Sequence, residues 1–169
     1  MRSIGLCELL IELMMVRASE RAAFGRPVIQ YDTVQRWIAE SRIELEQARL
    51  LCYRCAWRLD QAGHHDAWRD VSLIKVAVPA ILQRIADRAL QVHGSFGISD
   101  DAPFVHMLLN GYHLGLADGP TEVHKATLAR ELLKGVQPSE GVFPAYSRSN
   151  RAAAARARYA EVLKQYGKS

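Results

Sequence analysis

The apolar positions of this chain return at the spacing of an α-helix over most of its length. Between Val71 and Val92 they step by three or four residues throughout, so they share one face of a helix. A similar pattern runs from Val34 to Leu59. No stretch alternates apolar and polar residues for long enough to predict a strand. The pattern therefore predicts an all-α protein.

Glycine and proline divide this pattern into segments. The breaks fall around Gly25, Gly63, Gly94 and Gly119. They leave predicted helices at residues 2–20, 32–62, 67–94, 103–116 and 120–134, with a tail helix at about 149–166. Long antiparallel helices with short connections form an up-down four-helix bundle. We predict this bundle over residues 1–135, followed by a linker and an extra, basic C-terminal helix over 136–169.

The net charge of +4 belongs to the C-terminal segment rather than to the whole chain. From Ser147 to Ser169 the chain carries six basic residues and one acid, so the preceding residues are close to neutral. Such a segment is typical of a solvated helix face, and binding of an anionic partner is the alternative. We expect no nucleic-acid partner.

Three cysteines, Cys7, Cys52 and Cys55, lie within predicted helices. The second and third form a CxxC pair, which raises metal or redox chemistry as an alternative to buried thiols. Because this pair lies inside a strong helical pattern, we interpret all three as reduced core thiols and predict no metal site. The sequence shows neither a signal-peptide pattern nor an apolar stretch of about 18–20 residues. We therefore expect a cytoplasmic protein without a membrane span.

Three short segments carry residues that a bundle alone does not require. They extend from Arg21 to Pro27, from Gln91 to Gly97, and from Ala117 to His124. Each lies where a predicted helix begins or ends. Free backbone amides, together with glycine, favour the close approach of an anionic ligand at such places. The segments therefore predict a ligand site at the ends of the bundle.

In this order and at these separations, the three segments resemble the C-terminal domain of the acyl-CoA dehydrogenase family. That family shows Arg-x-x-Phe-Gly-x-Pro, Gln-x-x-Gly-Gly-x-Gly and Glu-Gly-Thr motifs. The Asp-Gly-Pro form of the third segment, with the first five residues of the chain, looks most like the branch of family members ten and eleven. The resemblance covers about residues 1–135. The family's N-terminal helical domain and central β-barrel have no counterpart here, so we expect a piece of a longer enzyme with little activity alone.

The resemblance implies FAD as the cofactor and an acyl-CoA thioester as the substrate. Asp118 matches the catalytic carboxylate, which would take the α-proton while the β-hydride goes to FAD. Capping of the following helix is the structural alternative for this residue, and the two roles are compatible. Arg21 matches an arginine that reaches the FAD pyrophosphate of a neighbouring subunit, a contact that suits the guanidinium fork. An exposed surface arginine is the alternative.

The other positions that the resemblance implies also concern FAD. They are Phe24, Gln91, Gly94, Gly97, Thr121 and Glu122. Ser95 stands where a second glycine is usual in the family, and Glu122 brings a carboxylate near a pyrophosphate. His93 is a candidate general base by chemistry alone, but we favour a partly buried histidine that caps a helix end.

A residue that serves a neighbour's cofactor requires a neighbour, so the resemblance implies a homo-oligomer, either a dimer or a tetramer. It also implies electron-transfer flavoprotein as the electron acceptor. Two other classes of function stay open. One is a non-catalytic bundle for oligomerisation or regulation, and the other is an anion-binding module with a basic tail. Bound flavin, seen by its visible absorbance, would distinguish the enzyme from both.

Overall fold

The computed structural model describes residues 1–137 and 142–167, and for residues 64–66 it describes the backbone alone. The predicted linker and the end of the basic tail therefore lie partly outside the described residues. The chain divides into two compact units, the first of which is Met1–Leu132 and the second of which begins at Leu133.

Helices make up most of the described residues. They are α1 (Arg2–Glu20), α2 (Asp32–His93), α3 (Phe104–Leu116), α4 (Thr121–Leu133), α5 (Arg148–Arg158) and α6 (Ala160–Gln165). Short 3₁₀ turns occupy Val28–Gln30 and Gly94–Ile98. The prediction of an all-α fold is confirmed. One correction concerns β1 (Ala22–Ala23) and β2 (Arg26–Pro27), which pair as a short antiparallel hairpin. Two residues a strand are too few to produce the alternation by which strands are predicted.

The helix α2 is folded back on itself at Gly63, where φ is 72° and ψ is 179°. A straight helix of this length would extend about 93 Å. Instead a first arm (residues 32–62) and a second arm (residues 64–93) run antiparallel. Ion pairs join the arms near both ends, between Arg88 and Glu44 at 3.1 Å and between Arg54 and Asp70 at 3.1 Å. The two predicted central helices are therefore present, joined at a single glycine.

The core lies between α1, the two arms of α2 and α3, which together form the predicted four-helix bundle. Its largest fully buried side chains include Leu10, Met14, Leu45, Leu82, Ile85 and Phe104. Each such side chain contributes roughly 1.5–3 kcal/mol when it leaves water. The helix α4, by contrast, contributes no buried residue.

The helix α3 lies close to the second arm of α2 because of a glycine on the contacting face. A Cβ added at Gly111 would come within 2.5 Å of the Gln83 Cγ and 3.2 Å of the Pro79 carbonyl oxygen. No residue with a side chain fits there without a shift. This contact places the end of α3, and the turn that follows it, beside the middle of the second arm.

The second unit contains α5 and α6. A single tail helix was predicted, and the correction is that two helices meet at Tyr159, where φ is −108° and ψ is 19°. No buried residue occurs in either helix. At the start of α5 the Ser147 side chain accepts a hydrogen bond from the Asn150 N–H, as an N-cap does. Over the described part of the chain, no helix is both long enough and apolar enough to cross a bilayer.

Candidate functional site

The first predicted segment forms the β-hairpin that follows α1. Phe24 and Gly25 are its two turn residues, with φ of 51° and 81°. Positive φ at both positions is typical of a type I′ turn, whose twist suits a two-residue hairpin. The Tyr31 hydroxyl donates to the Ala23 carbonyl at 2.8 Å, and the Arg26 guanidinium lies 4.0 Å from the centroid of the Tyr31 ring. The hairpin is therefore fixed by its own backbone and by one tyrosine.

Phe24 is displayed at the tip of this hairpin. Its side chain is 99% exposed, and its backbone is in the left-handed region. That conformation costs an L-residue other than glycine roughly 1–2 kcal/mol. Exposure of an aromatic ring to water is unfavourable. A strained and fully exposed phenylalanine therefore indicates contact with a ligand or a neighbouring molecule.

The second predicted segment meets the first at the C-terminal end of α2. Gly94 follows α2 with φ of 65° and ψ of −141°, a conformation that glycine alone adopts readily. A Cβ at Gly94 would lie 3.0 Å from the Arg21 Nη1. Arg21, Phe24 and Gln91 line one groove between the hairpin and the end of α2. The structure thus brings four of the predicted FAD residues together.

Gly97 has a packing role in the same turn. It is buried, and a Cβ there would lie 2.7 Å from the Leu90 carbonyl oxygen and 3.0 Å from the His93 Cβ. The glycine therefore lets the 3₁₀ turn fold closely onto the end of α2. Direct contact between Gly97 and FAD stays a prediction.

Arg17 is a cation of this region that the motif comparison did not include. It lies one helical turn before Arg21, and its Nε is buried without a hydrogen-bond partner among the described residues. A buried guanidinium nitrogen without a partner is costly. The available signal in the sequence was the spacing, because residues four apart share a helix face.

His93 packs inside the end of the bundle. It is 6% exposed, its Nδ1–H donates to the Ala89 carbonyl at 2.7 Å, and its ring centroid lies 4.0 Å from that of Phe104. Burial, together with the charge of Arg17, lowers the pKa of the imidazole, although the hydrogen bond to Ala89 opposes this shift. His93 lies at a helix end and bonds a carbonyl there, as predicted, but its side chain is buried rather than partly buried.

The third predicted segment forms the turn between α3 and α4. Asp118 and Gly119 both have left-handed backbone, with φ of 54° and 100°. Aspartate tolerates this region better than most residues, because its short polar side chain can hydrogen-bond locally. Asp118 is exposed and lies at the rim of an apolar cavity of about 220 Å³. The walls of this cavity include Met1, Cys52, Ile74, Val78 and Leu114.

The two residues after this turn line one groove, separate from the cavity of Asp118. The Thr121 Oγ1 donates to the Gly115 carbonyl at 3.0 Å, which joins the start of α4 to the end of α3. Glu122 is exposed and lines the same groove with Tyr112 and Lys125. Neither residue lines the cavity beside Asp118, so their contacts with FAD stay predictions.

The predicted site residues therefore form two groups. The hairpin group is Arg21, Phe24, Gln91, Gly94 and Gly97, and the turn group is Asp118, Thr121 and Glu122. Pro79 lines the cavity of Asp118, whereas Gln91 lines the groove of Arg21. Between these two residues the helix rises about 18 Å. The turn group lies beside the middle of the second arm of α2, and the hairpin group lies at the C-terminal end of that arm.

The three cysteines are free and buried. Burial and the nearby charge of Glu44 raise the pKa of the Cys7 thiol to about 12. Burial also raises the pKa of Cys52 and of Cys55. A thiol that stays protonated is a poor nucleophile and a poor metal ligand. Among the residues that the structure describes, no group of histidine, cysteine and carboxylate side chains is suited to hold a metal ion.

Comparison with known proteins identifies the family to which this arrangement belongs. Residues 1–133 match the family model described as acyl-CoA dehydrogenase, C-terminal domain. Acyl-CoA dehydrogenase family member 11 of Rattus norvegicus is 44% identical over 130 residues, which cover 77% of this chain and 17% of that protein. The protein named probable acyl-CoA dehydrogenase FadE2, from Mycobacterium tuberculosis, is 45% identical over 132 residues, which cover 77% of this chain and 32% of that protein.

A solved structure gives the same result. A chain from Mycobacterium abscessus, assigned to the acyl-CoA dehydrogenases, superimposes with a TM-score of 0.77 at 43% identity, over 80% of this chain and 33% of that chain. This chain thus spans about a third or less of the length of these relatives. It belongs to the acyl-CoA dehydrogenase family of flavoprotein oxidoreductases and corresponds to the C-terminal helical domain of that family.

Proposed function

We propose that this chain is the part of an acyl-CoA dehydrogenase in which Asp118 removes the α-proton of an acyl-CoA thioester. The observation that carries this proposal is the position of Asp118 at the rim of an apolar cavity of about 220 Å³. The acyl chain is the apolar part of such a substrate, and the α-carbon lies next to its polar thioester. A carboxylate at the boundary between an apolar cavity and solvent meets both requirements.

The reaction removes one proton and one hydride from neighbouring carbons of the acyl chain. The Asp118 carboxylate accepts the α-proton, and the electron pair of that C–H bond enters the new double bond. When bound, FAD supplies the acceptor for the hydride that leaves the β-carbon. The left-handed backbone at Asp118 and Gly119 presents the carboxylate at the corner between α3 and α4.

The hairpin group fits the phosphates of a dinucleotide. The Arg21 guanidinium lies against Gly94, in the space that a Cβ there would fill, so the glycine lets it lie close to the end of α2. A guanidinium group donates hydrogen bonds that a pyrophosphate accepts, whereas the Gly94 amide already donates to carbonyls at the end of α2. Homologues in this family depend on FAD, which supports this assignment.

We also propose that one chain contributes to two active sites. The two groups are separated by about 18 Å along the second arm of α2, so Arg21 and Asp118 need not serve the same cofactor. Asp118 would act in one site, while Arg21, Phe24 and Gln91 contact FAD held by a neighbouring copy. This arrangement requires a homo-oligomer. Electron-transfer flavoprotein is the proposed acceptor of the electrons.

The test uses a complete enzyme, in which this chain replaces the matching C-terminal segment of FadE2. Asp118→Asn keeps the size of the side chain and removes the base. We expect it to retain FAD, seen by visible absorbance, and to lower the rate of flavin bleaching by acyl-CoA by a factor of about 10² to 10⁴.

Asp101→Asn, at an exposed carboxylate before α3, is the matched control and should keep the parental rate. If Asp118→Asn bleached its flavin at the parental rate, the base would lie elsewhere. The 169-residue chain alone, assayed with added FAD and an artificial acceptor, is expected to show little turnover.

A further inference from the structure

The imidazole of His124, in the first turn of α4, lies between two other segments of the chain. The Ser72 Oγ on the second arm of α2 is 3.2 Å from the His124 Nδ1. The Asp118 carbonyl oxygen is 3.4 Å from the His124 Nε2. A Cβ at Gly119 would lie 3.1 Å from the same Nε2, so the ring also packs against the turn itself. One side chain thus connects the second arm with the turn that carries Asp118.

These contacts determine which nitrogen of the neutral ring carries the hydrogen. The Asp118 carbonyl only accepts hydrogen bonds, so the hydrogen is on Nε2. Nδ1 is then an acceptor, and the Ser72 hydroxyl donates to it. Ser72 is 4% exposed, so its hydroxyl requires a partner inside the protein, and His124 provides one. The result is a chain of two hydrogen bonds from the second arm to the main chain of Asp118.

The turn needs such support for two reasons. Asp118 has a φ of 54°, a left-handed conformation that is unfavourable for residues other than glycine, although aspartate tolerates it better than most. In addition, α4 contributes no buried residue, so apolar packing does not fix its position. The hydrogen bond from Thr121 to Gly115 holds the start of α4, but it does not reach Asp118. The contact with the Asp118 main chain comes from His124.

We propose that His124, held by Ser72, is a positioning residue for Asp118. The pair keeps the main chain of Asp118 in its left-handed conformation, so the carboxylate stays at the cavity rim. His124 does not line that cavity itself. This inference rests on the proposed role of Asp118 as the base. A displacement of about 1 Å can slow a reaction by about 10²-fold, so the expected consequence of losing the pair is a slower proton transfer rather than weaker substrate binding.

The first test examines the geometry in the 169-residue chain by NMR with ¹⁵N-labelled histidine. We expect neutral His124 to carry its hydrogen on Nε2, and we expect Ser72→Ala to shift the Nδ1 resonance. The exposed His106 serves as the internal control and should not respond. The proposal would be overturned by a hydrogen on Nδ1, or by a His124 Nδ1 resonance that does not change in Ser72→Ala.

The second test uses the complete enzyme and compares His124→Ala with His124→Gln. His124→Ala is expected to slow flavin bleaching by about 10²-fold, because the turn loses its support. Its half-saturating acyl-CoA concentration should stay within about twofold of the parental value, since binding is not affected. Glutamine retains a donor and an acceptor, so flavin bleaching by His124→Gln should be about tenfold faster than by His124→Ala.

The control for the second test is His113→Ala, at an exposed position of α3, which should keep the parental rate. The slowing by His124→Ala should also disappear when Asp118 is already Asn, because both changes act on one step. If Asp118→Asn abolishes bleaching and His124→Ala does not slow it, this inference is wrong and the proposed base stands. If Asp118→Asn itself has no effect, the proposed function is wrong.

Discussion

The hairpin group and the turn group each hold one residue other than glycine in left-handed backbone, and they support it differently. Phe24, with φ of 51°, lies in a two-residue turn between paired strands. Asp118, with φ of 54°, has no strand beside it. Its turn is contacted by the side chain of His124, which Ser72 holds from a position 52 residues away in the sequence.

This difference predicts which substitutions would disturb the geometry of each group. The hairpin depends on local backbone geometry, above all on glycine where φ is positive or where two segments touch. The turn depends on side chains from separate helices, so a substitution far away in the sequence can disturb it. We therefore expect the geometry of the hairpin group to depend mainly on close-packed glycines. The geometry of the turn group should depend mainly on hydrogen-bonding side chains.

Gly97→Ala tests the glycine side of this comparison and has the largest expected effect on stability. The added Cβ would lie 2.7 Å from the Leu90 carbonyl oxygen, which is backbone and cannot rotate away. We expect the free energy of unfolding to fall by roughly 1–3 kcal/mol, measured by urea denaturation of the chain.

Two alanine substitutions sharpen this result. At Gly115 the added Cβ would meet the Thr121 Oγ1 at 3.2 Å. Because a side-chain hydroxyl can rotate away, the free energy of unfolding should fall by less than in Gly97→Ala. At Gly5 on α1 the space is open, so alanine should stabilise the chain by roughly 0.5–1 kcal/mol. A Gly97→Ala chain as stable as the Gly5→Ala chain would show that this contact is not rigid.

His93→Gln has a smaller expected effect, confined to acid solution. Burial lowers the pKa of His93 in the folded chain, whereas an unfolded histidine titrates near 6.5. Below about pH 6.5 the unfolded state therefore binds a proton that the folded state excludes, and the free energy of unfolding falls as the pH falls. Glutamine does not titrate, so we expect a flatter dependence between about pH 7.5 and pH 5.

The measurement for His93 is urea denaturation of the parent and of the variant across this pH range. His113→Gln, at an exposed histidine of α3, is the control and should keep the parental slope. Equal slopes for the parent and His93→Gln would mean that the buried imidazole does not contribute to the acid sensitivity of the fold.

Much of the fold could be predicted from the sequence, because each long helix of the bundle buries one continuous apolar face. The breaks at Gly25, Gly63 and Gly94 were also predicted, and all three have positive φ. The hairpin strands could not be predicted, since two residues carry no periodicity. The Ser72–His124 pair could not be predicted either, because it depends on how α4 lies against the second arm. Residues within one helix give no information about that arrangement.

The central claim is that the hairpin group and Asp118 of one chain serve two different active sites. It is tested by producing Arg21→Ala and Asp118→Asn forms of the complete enzyme, separately and together in one cell. In a mixed dimer, one site has both changes and the other has neither. Random pairing therefore predicts recovery of about a quarter of the parental activity, although each variant alone is inactive or strongly impaired. If the mixture is no more active than its separate components, both groups serve the same site, and the account is wrong.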